Sequence, residues 1–166
     1  IGVATLIIVM SVMNGFKLEL QDRIIGFNGH LYINKLGENI DDFAINENEF
    51  ANIRFVDPNI TFQSLMISSN KNNGVLVKAI DPKNLKNYDL IYKNLNTNML
   101  DPLFGNSIIL GDMLALKLGL TIGSKIKLYS TQTIMTPFGS LPKSKEFEIS
   151  GTFHSGMSEY DNNFTL

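Results

Sequence analysis

The first sixteen residues, IGVATLIIVMSVMNGF, contain no charged side chain; the first is Lys17. Ile, Val, Leu, Met and Ala fill most positions, with Thr5, Ser11 and Asn14 as the polar exceptions. A bilayer crossing needs roughly 20 apolar residues, so the run is too short by itself. The chain starts at Ile1 with no initiator Met and no basic region before it, and we read the run as the end of a longer transmembrane helix. A buried core helix or the hydrophobic part of a signal peptide would give a similar run. A cleavable signal also needs a small-x-small site, and Ser11-Val12-Met13 is a poor one. The pattern beyond is helical and amphipathic. Phe16, Leu20, Ile24, Phe27 and Leu31 recur every three or four residues, with Lys17, Glu19, Asp22 and Arg23 off that stripe. The spacing predicts a stalk with those five residues on one buried face.

The rest of the 166 residues suffices for one medium domain or two small ones. A hydrophobic fraction of 44% with eleven Phe supports a real core. A net charge of -2 argues against a nucleic-acid binder, which shows a basic excess. The absence of cysteine excludes a disulfide scaffold and a thiolate metal site.

Along the chain, alternation predicts strands at residues 30–34, 52–56 and 60–68. Asn70 to Gly74 reads as a hairpin turn, and 74–80 as the returning strand. Residues 83–99 are Asn-rich and read as irregular. Ser107 to Leu110 is a short apolar strand. A helix over Asp112 to Leu118 follows, with an acid at its start and Gly119 as C-cap. Residues 125–130 and 146–150 alternate and should pair antiparallel.

The connection between those two strands, about Thr131 to Ser144, is far longer than a normal hairpin loop. It carries Ile134, Met135, Pro137, Phe138, Leu141 and Pro142 on what should be an exposed protrusion, stiffened by its prolines. Lys127, Lys143 and Lys145 sit at its base. An apolar tip on a stiff arm with a basic base suits partner docking. A loop folded back over its own core is the alternative.

Catalytic constellations are weak. Asp41, Asp42, Glu47 and Glu49 form a charge run of the kind that is usually solvated. His30 lies beside the stalk, and His154-x4-Glu159-x-Asp161 matches no standard ligand spacing. No Walker A, GxSxG or GxGxxG motif is present. We therefore expect no catalytic residues, no cofactor and no metal, and a chain that is not an enzyme.

Three segments carry a family resemblance. SVMNGFKLELQDRIIGFNGHLYI (11–33) resembles the end of the first membrane helix and the start of the periplasmic domain in LolC- and LolE-type lipoprotein-releasing ABC transporter permeases. IILGDMLALKLGLTIGSKIKLYS (108–130) resembles the ILG-x-x-LA-x-x-LGL-x-x-GD-x-I-x-L pattern of the MacB-like periplasmic domain, with Ser124 in place of the Asp. TPFGSLPKSKEFEISGTFHSGMSEYD (136–161) resembles the following segment of the LolC and single-permease LolF forms.

The resemblance implies an α+β, MacB-like periplasmic domain of two subdomains on an N-terminal transmembrane and amphipathic helix stalk. Residues 1–29 would be the end of the first transmembrane helix and the stalk. Residues 30–99 would form a mixed α+β subdomain, and 100–166 a mainly β subdomain with the hook, truncated after it. The implied function is extraction of outer-membrane lipoproteins from the bacterial inner membrane and handover to the periplasmic chaperone LolA. The hook would be Ser130 to Lys143, with Pro137 and Pro142 as its prolines. Lys127 and Lys145 would stand in a contact pad where the family carries arginines, and Ser144 where some members have Gln. Residues 1–16 would line part of a lipoprotein cavity between permease subunits. The implied partners are a second permease subunit (LolE-like or a second copy), a LolD-type ATPase that hydrolyses ATP, the lipoprotein and the membrane. Another MacB-type exporter, or a membrane-tethered extracytoplasmic enzyme, is the alternative.

Overall fold

The computed structural model describes residues 1–33, 52–53, 55–68, 71–99, 101–137 and 139–166. Helix α1 (Gly2–Asn28) is 27 residues long, about 40 Å at 1.5 Å per residue, and its apolar first half is exposed throughout. It stops at Gly29, which takes φ 78°. The predicted buried face is overturned. Phe27 is buried and Leu20 half-buried, but Phe16 and Ile24 are exposed, and Leu31 lies beyond the helix end. Only the last turns of α1 meet the body of the protein.

Strand β1 (Ile60–Ser68) pairs antiparallel with β2 (Lys71–Ala79) as predicted, but β2 begins earlier than expected. Ser68 pairs with Lys71, so Lys71 to Gly74 belong to the strand rather than to a turn. The strand predicted at 30–34 does not form over residues 30–33, and Asn34 lies outside the described residues. Nor do 52, 53, 55 and 56 form one; the acidic run at 41–49 also lies outside the described residues.

Residues 83–99, predicted irregular, carry three short elements: a 3-10 helix (Pro82–Asn87), α2 (Asp89–Lys93) and β3 (Leu95–Thr97). The Asp81 carboxylate accepts from the Lys83 amide at 3.0 Å, and Pro82 sits in the first turn, so the dipeptide that stops β2 also starts a helix. Strand β4 (Ser107–Gly111) and α3 (Asp112–Leu118) stand where the sequence placed them, and Gly119 caps α3 at φ 70°. Strands β5 (Lys125–Thr136) and β6 (Gly139–Phe153) form a long antiparallel ribbon, followed by α4 (Ser158–Asn163) and β7 (Phe164–Thr165).

One sheet holds all seven strands in the order β3-β6-β4-β7-β2-β1-β5, and β5 also pairs with β6. The pairings therefore close a ring of six strands, with β3 added beside β6. Strands on both sides of position 100 share this sheet. Strand β4 lies between β6 and β7 and is buried on both faces. Ile108 and Leu110 face a core with Val75, Val77, Leu114 and Ile149. Ile109 points the other way, into a second core of Phe27, Leu85, Tyr88, Ile91 and Phe153. The period-2 alternation of a strand makes this division possible.

Candidate functional site

The arm predicted as a loop is a two-stranded ribbon. Thr133 pairs with Pro142, Ile134 with Leu141, Met135 with Ser140 and Thr136 with Gly139. Gly139 takes φ 119°, and the Thr136 hydroxyl donates to the Gly139 carbonyl at 2.6 Å. Phe138 lies outside the described residues. A cross-strand apolar pair, Ile134 with Leu141, fits a ladder better than a loop.

The ribbon stands clear of the sheet. Strand β1 pairs with β5 only over residues 127–130, and β4 pairs with β6 only from Glu148 onward. Met135 is 90% exposed, and Ile134, Pro137, Leu141, Pro142, Lys143 and Lys145 are exposed as well. The register slips between Tyr129 and Thr133, where β5 has two residues more than β6. The ribbon thus changes pitch at its root. The Ser64 hydroxyl donates to the Tyr129 carbonyl at 2.8 Å and holds that root to β1.

The basic residues do not form one patch. Lys127 lies opposite Glu146 and Lys145 opposite Leu128, so the two lysines project from opposite faces of the ribbon. Each lies over a ring of its own strand: Lys127 Nζ is 5.8 Å from the Tyr129 centroid, and Lys145 Nζ is 5.3 Å from that of Phe147. The tip divides in the same way. Ile134 and Leu141 share one face, while Met135 with Ser140, and Thr133 with Pro142, take the other.

At the other end of the molecule, α1 is joined to the domain by a set of contacts that its stripe did not reveal. Phe27 stacks on Tyr160 at 4.2 Å and meets Phe164 edge-on at 4.8 Å. Asn28 donates to the Tyr160 hydroxyl at 2.5 Å. Gly26 lets α2 close in: a Cβ there would stand 3.3 Å from Leu90 Cβ. Lys78, 2% exposed, donates from Nζ to the Phe27 carbonyl at 2.6 Å. That carbonyl is one of the orphan acceptors at the helix end, where a cation is favoured. Nζ also lies 5.2 Å and 4.7 Å from the Phe27 and Tyr88 ring centroids. Burial pushes the Lys78 ammonium down to about 8, with Asp57 acting the other way. The Tyr88 hydroxyl donates to Asp57, and burial together with that carboxylate raises the phenol.

His30 is exposed beside the end of α1. His154 meets one of the two acids that its sequence spacing offered, Asp161, together with a distant one, Asp112. Its Nδ1 lies 2.9 Å from Asp112 Oδ2 and 3.2 Å from Asp161 Oδ2. Among the described residues these three side chains could hold a metal ion, with ligand atoms all within 4.8 Å of one another. Asp112 is 42 residues away, so no local spacing could have found it.

The MacB-like periplasmic core domain family matches residues 1–166. Similar curated proteins bear the name lipoprotein-releasing system transmembrane protein LolC. The protein from Xylella fastidiosa is 27% identical over 97% of this chain and 40% of its own length. That from Neisseria meningitidis is 27% identical over 100% of this chain and 41% of its own. That from Buchnera aphidicola subsp. Acyrthosiphon pisum is 31% identical over 97% of this chain and 41% of its own. The chain thus spans about two fifths of the length of these relatives.

Proposed function

The chain belongs to the MacB-like periplasmic core domain family, and from that premise we propose that it serves a LolC-type lipoprotein-releasing ABC transporter permease. In this reading the apolar half of α1 lies in the bacterial inner membrane and the β domain lies in the periplasm. The transporter extracts outer-membrane lipoproteins and passes them to a LolA-type chaperone. ATP is hydrolysed by a separate LolD-type subunit, and a second permease subunit completes the membrane part.

The observation that carries the reading is the ribbon. Its tip presents Ile134, Met135, Leu141 and two prolines to solvent, although none of them is needed in either core. Exposed apolar side chains on a rigid arm favour docking, because little conformational freedom is lost on binding. The hook is the arm, and Lys127, Lys143 and Lys145 supply charges at its base. Exposure of α1 over residues 1–19 supports the membrane placement, since an apolar helix outside any core needs a lipid environment.

The test replaces Thr131–Pro142 by a two-residue Asn-Gly turn and titrates the protein with the cognate LolA-type chaperone. Binding should be lost while the flanking ladder persists, as that turn suits a hairpin. Unchanged affinity would remove the hook from the mechanism and favour another kind of MacB-type exporter.

A further inference from the structure

We propose that Asp112, His154 and Asp161 form a divalent-cation site of the zinc type. The site is independent of the transport reading and joins three separate segments: the start of α3, the turn after β6, and α4.

Several observations point to a missing cation. The His154 Nδ1 can supply only one proton, yet an oxygen from each of two carboxylates faces it, at 2.9 and 3.2 Å. Asp161 is 1% exposed and its Oδ1 is saturated by the Ser155 amide and hydroxyl, both at 2.7 Å. Its Oδ2 is left to the shared imidazole. Asp112 Oδ1 is closed to solvent and has no hydrogen-bond partner, the one such side-chain atom among the described residues. The Oδ2 atoms of the two carboxylates thus share a single donor, and Asp112 Oδ1 has none. One imidazole can balance only one of the two negative charges, and a divalent ion would balance both.

The spacing suits an ion. Zinc binds nitrogen and oxygen ligands at about 2.1 Å, which puts tetrahedral neighbours about 3.4 Å apart. One imidazole with two carboxylates is a borderline donor set, better matched to zinc than to calcium or magnesium, which prefer all-oxygen sites. The Ser155 hydrogen bonds orient Asp161 in the way outer partners orient metal ligands. Gly111 makes the approach possible: a Cβ there would lie 2.2 Å from the Asp161 carbonyl oxygen. A bound ion would clamp α4 to α3. Since Tyr160 of α4 stacks on Phe27, it would also stiffen the seat of the stalk.

The test is calorimetric titration of Zn²⁺ into the whole chain in detergent and chelator-treated buffer, with melting temperature as a second readout. One saturable site and a rise in Tm are expected. His154→Ala and Asp112→Asn should each weaken binding by about tenfold or more, as even outer-shell partners are worth 10- to 100-fold. His30→Ala should leave it unchanged. His154 and Asp112 are partly exposed, so these variants test the ligands without emptying a core. Absence of saturable binding at millimolar Zn²⁺ would overturn the site, as would equal affinity in His154→Ala. Tighter binding of Ca²⁺ than of Zn²⁺ would overturn the role of the imidazole.

Discussion

Lys78 shows how one residue joins two parts of the fold. It occupies a strand position that alternation would assign to a side chain of either kind, yet it is buried and bonded to the last turn of α1. Burial disfavours its charge, so its folded value lies near 8 against an ordinary 10.5. Below about pH 8 the folded state carries that penalty in full. Between about 8 and 10.5 the folded molecule releases a proton that the unfolded one keeps, so stability should rise with pH across that window, by at most about 1.4 kcal/mol per unit. Thermal midpoints at pH 7.5 and 10 should show this rise, and Lys78→Met should lack it; equal profiles would mean that Lys78 is not desolvated. Gly111 is the second decisive residue. Its φ is ordinary at -59°, so the requirement is space and not backbone freedom. Gly111→Ala forces the Asp161 backbone away and should cost about 1–3 kcal/mol or more, read as a loss of Tm. An alanine variant as stable as the parent would show that α4 can retreat freely.

At the scale of elements, the ribbon and the stalk behave as separate devices. The protruding part of the ribbon, residues 131–142, contributes to neither core, so its replacement by the short turn should change domain stability by no more than about 1 kcal/mol. Loss of folding in that variant would mean that the arm covers its own core. The opposed faces lead to a sharper expectation. A partner that docks on one face will feel Lys127→Glu or Lys145→Glu, but not both, and the effect should weaken with salt. Equal losses in the two variants would require a partner that wraps the ribbon. In the stalk, Asp22 and Arg23 lie within α1, one turn before its seat at Phe27. Asp22→Pro removes a helical hydrogen bond and should cost about 3 kcal/mol. Lipoprotein release should then fall relative to ATP hydrolysis in the assembled transporter. Normal release would show that α1 does not act as a rigid transmitter.

At the scale of the molecule, the closed ring of strands sets the ribbon and the stalk at opposite ends of one continuous sheet and its two cores. Much of this was legible in the sequence, because it rests on local rules. The apolar start of α1, the β1–β2 hairpin, the β4–α3 unit with its Gly119 cap and the antiparallel pairing of β5 with β6 all follow from periodicity, caps and turn residues. The apolar composition of the arm was legible as well. Other features depended on contacts between segments far apart in the chain. A five-residue stripe on α1 could not say that only its last turns are seated, because burial is decided by what α2 and α4 bring against it. The length of the ribbon was decided by cross-strand pairs that run from Thr133 with Pro142 to Thr136 with Gly139 and outweigh the loop-like composition. Lys127 and Lys145 sit near one another in the ribbon, but pairing register places them on opposite faces. The spacing around His154 offers Glu159 and Asp161; the fold keeps Asp161 and adds Asp112, which the pairing of Gly111 with Phe153 sets beside it. Local chemistry determines which elements form; the register and the approach of distant segments decide which side chains meet.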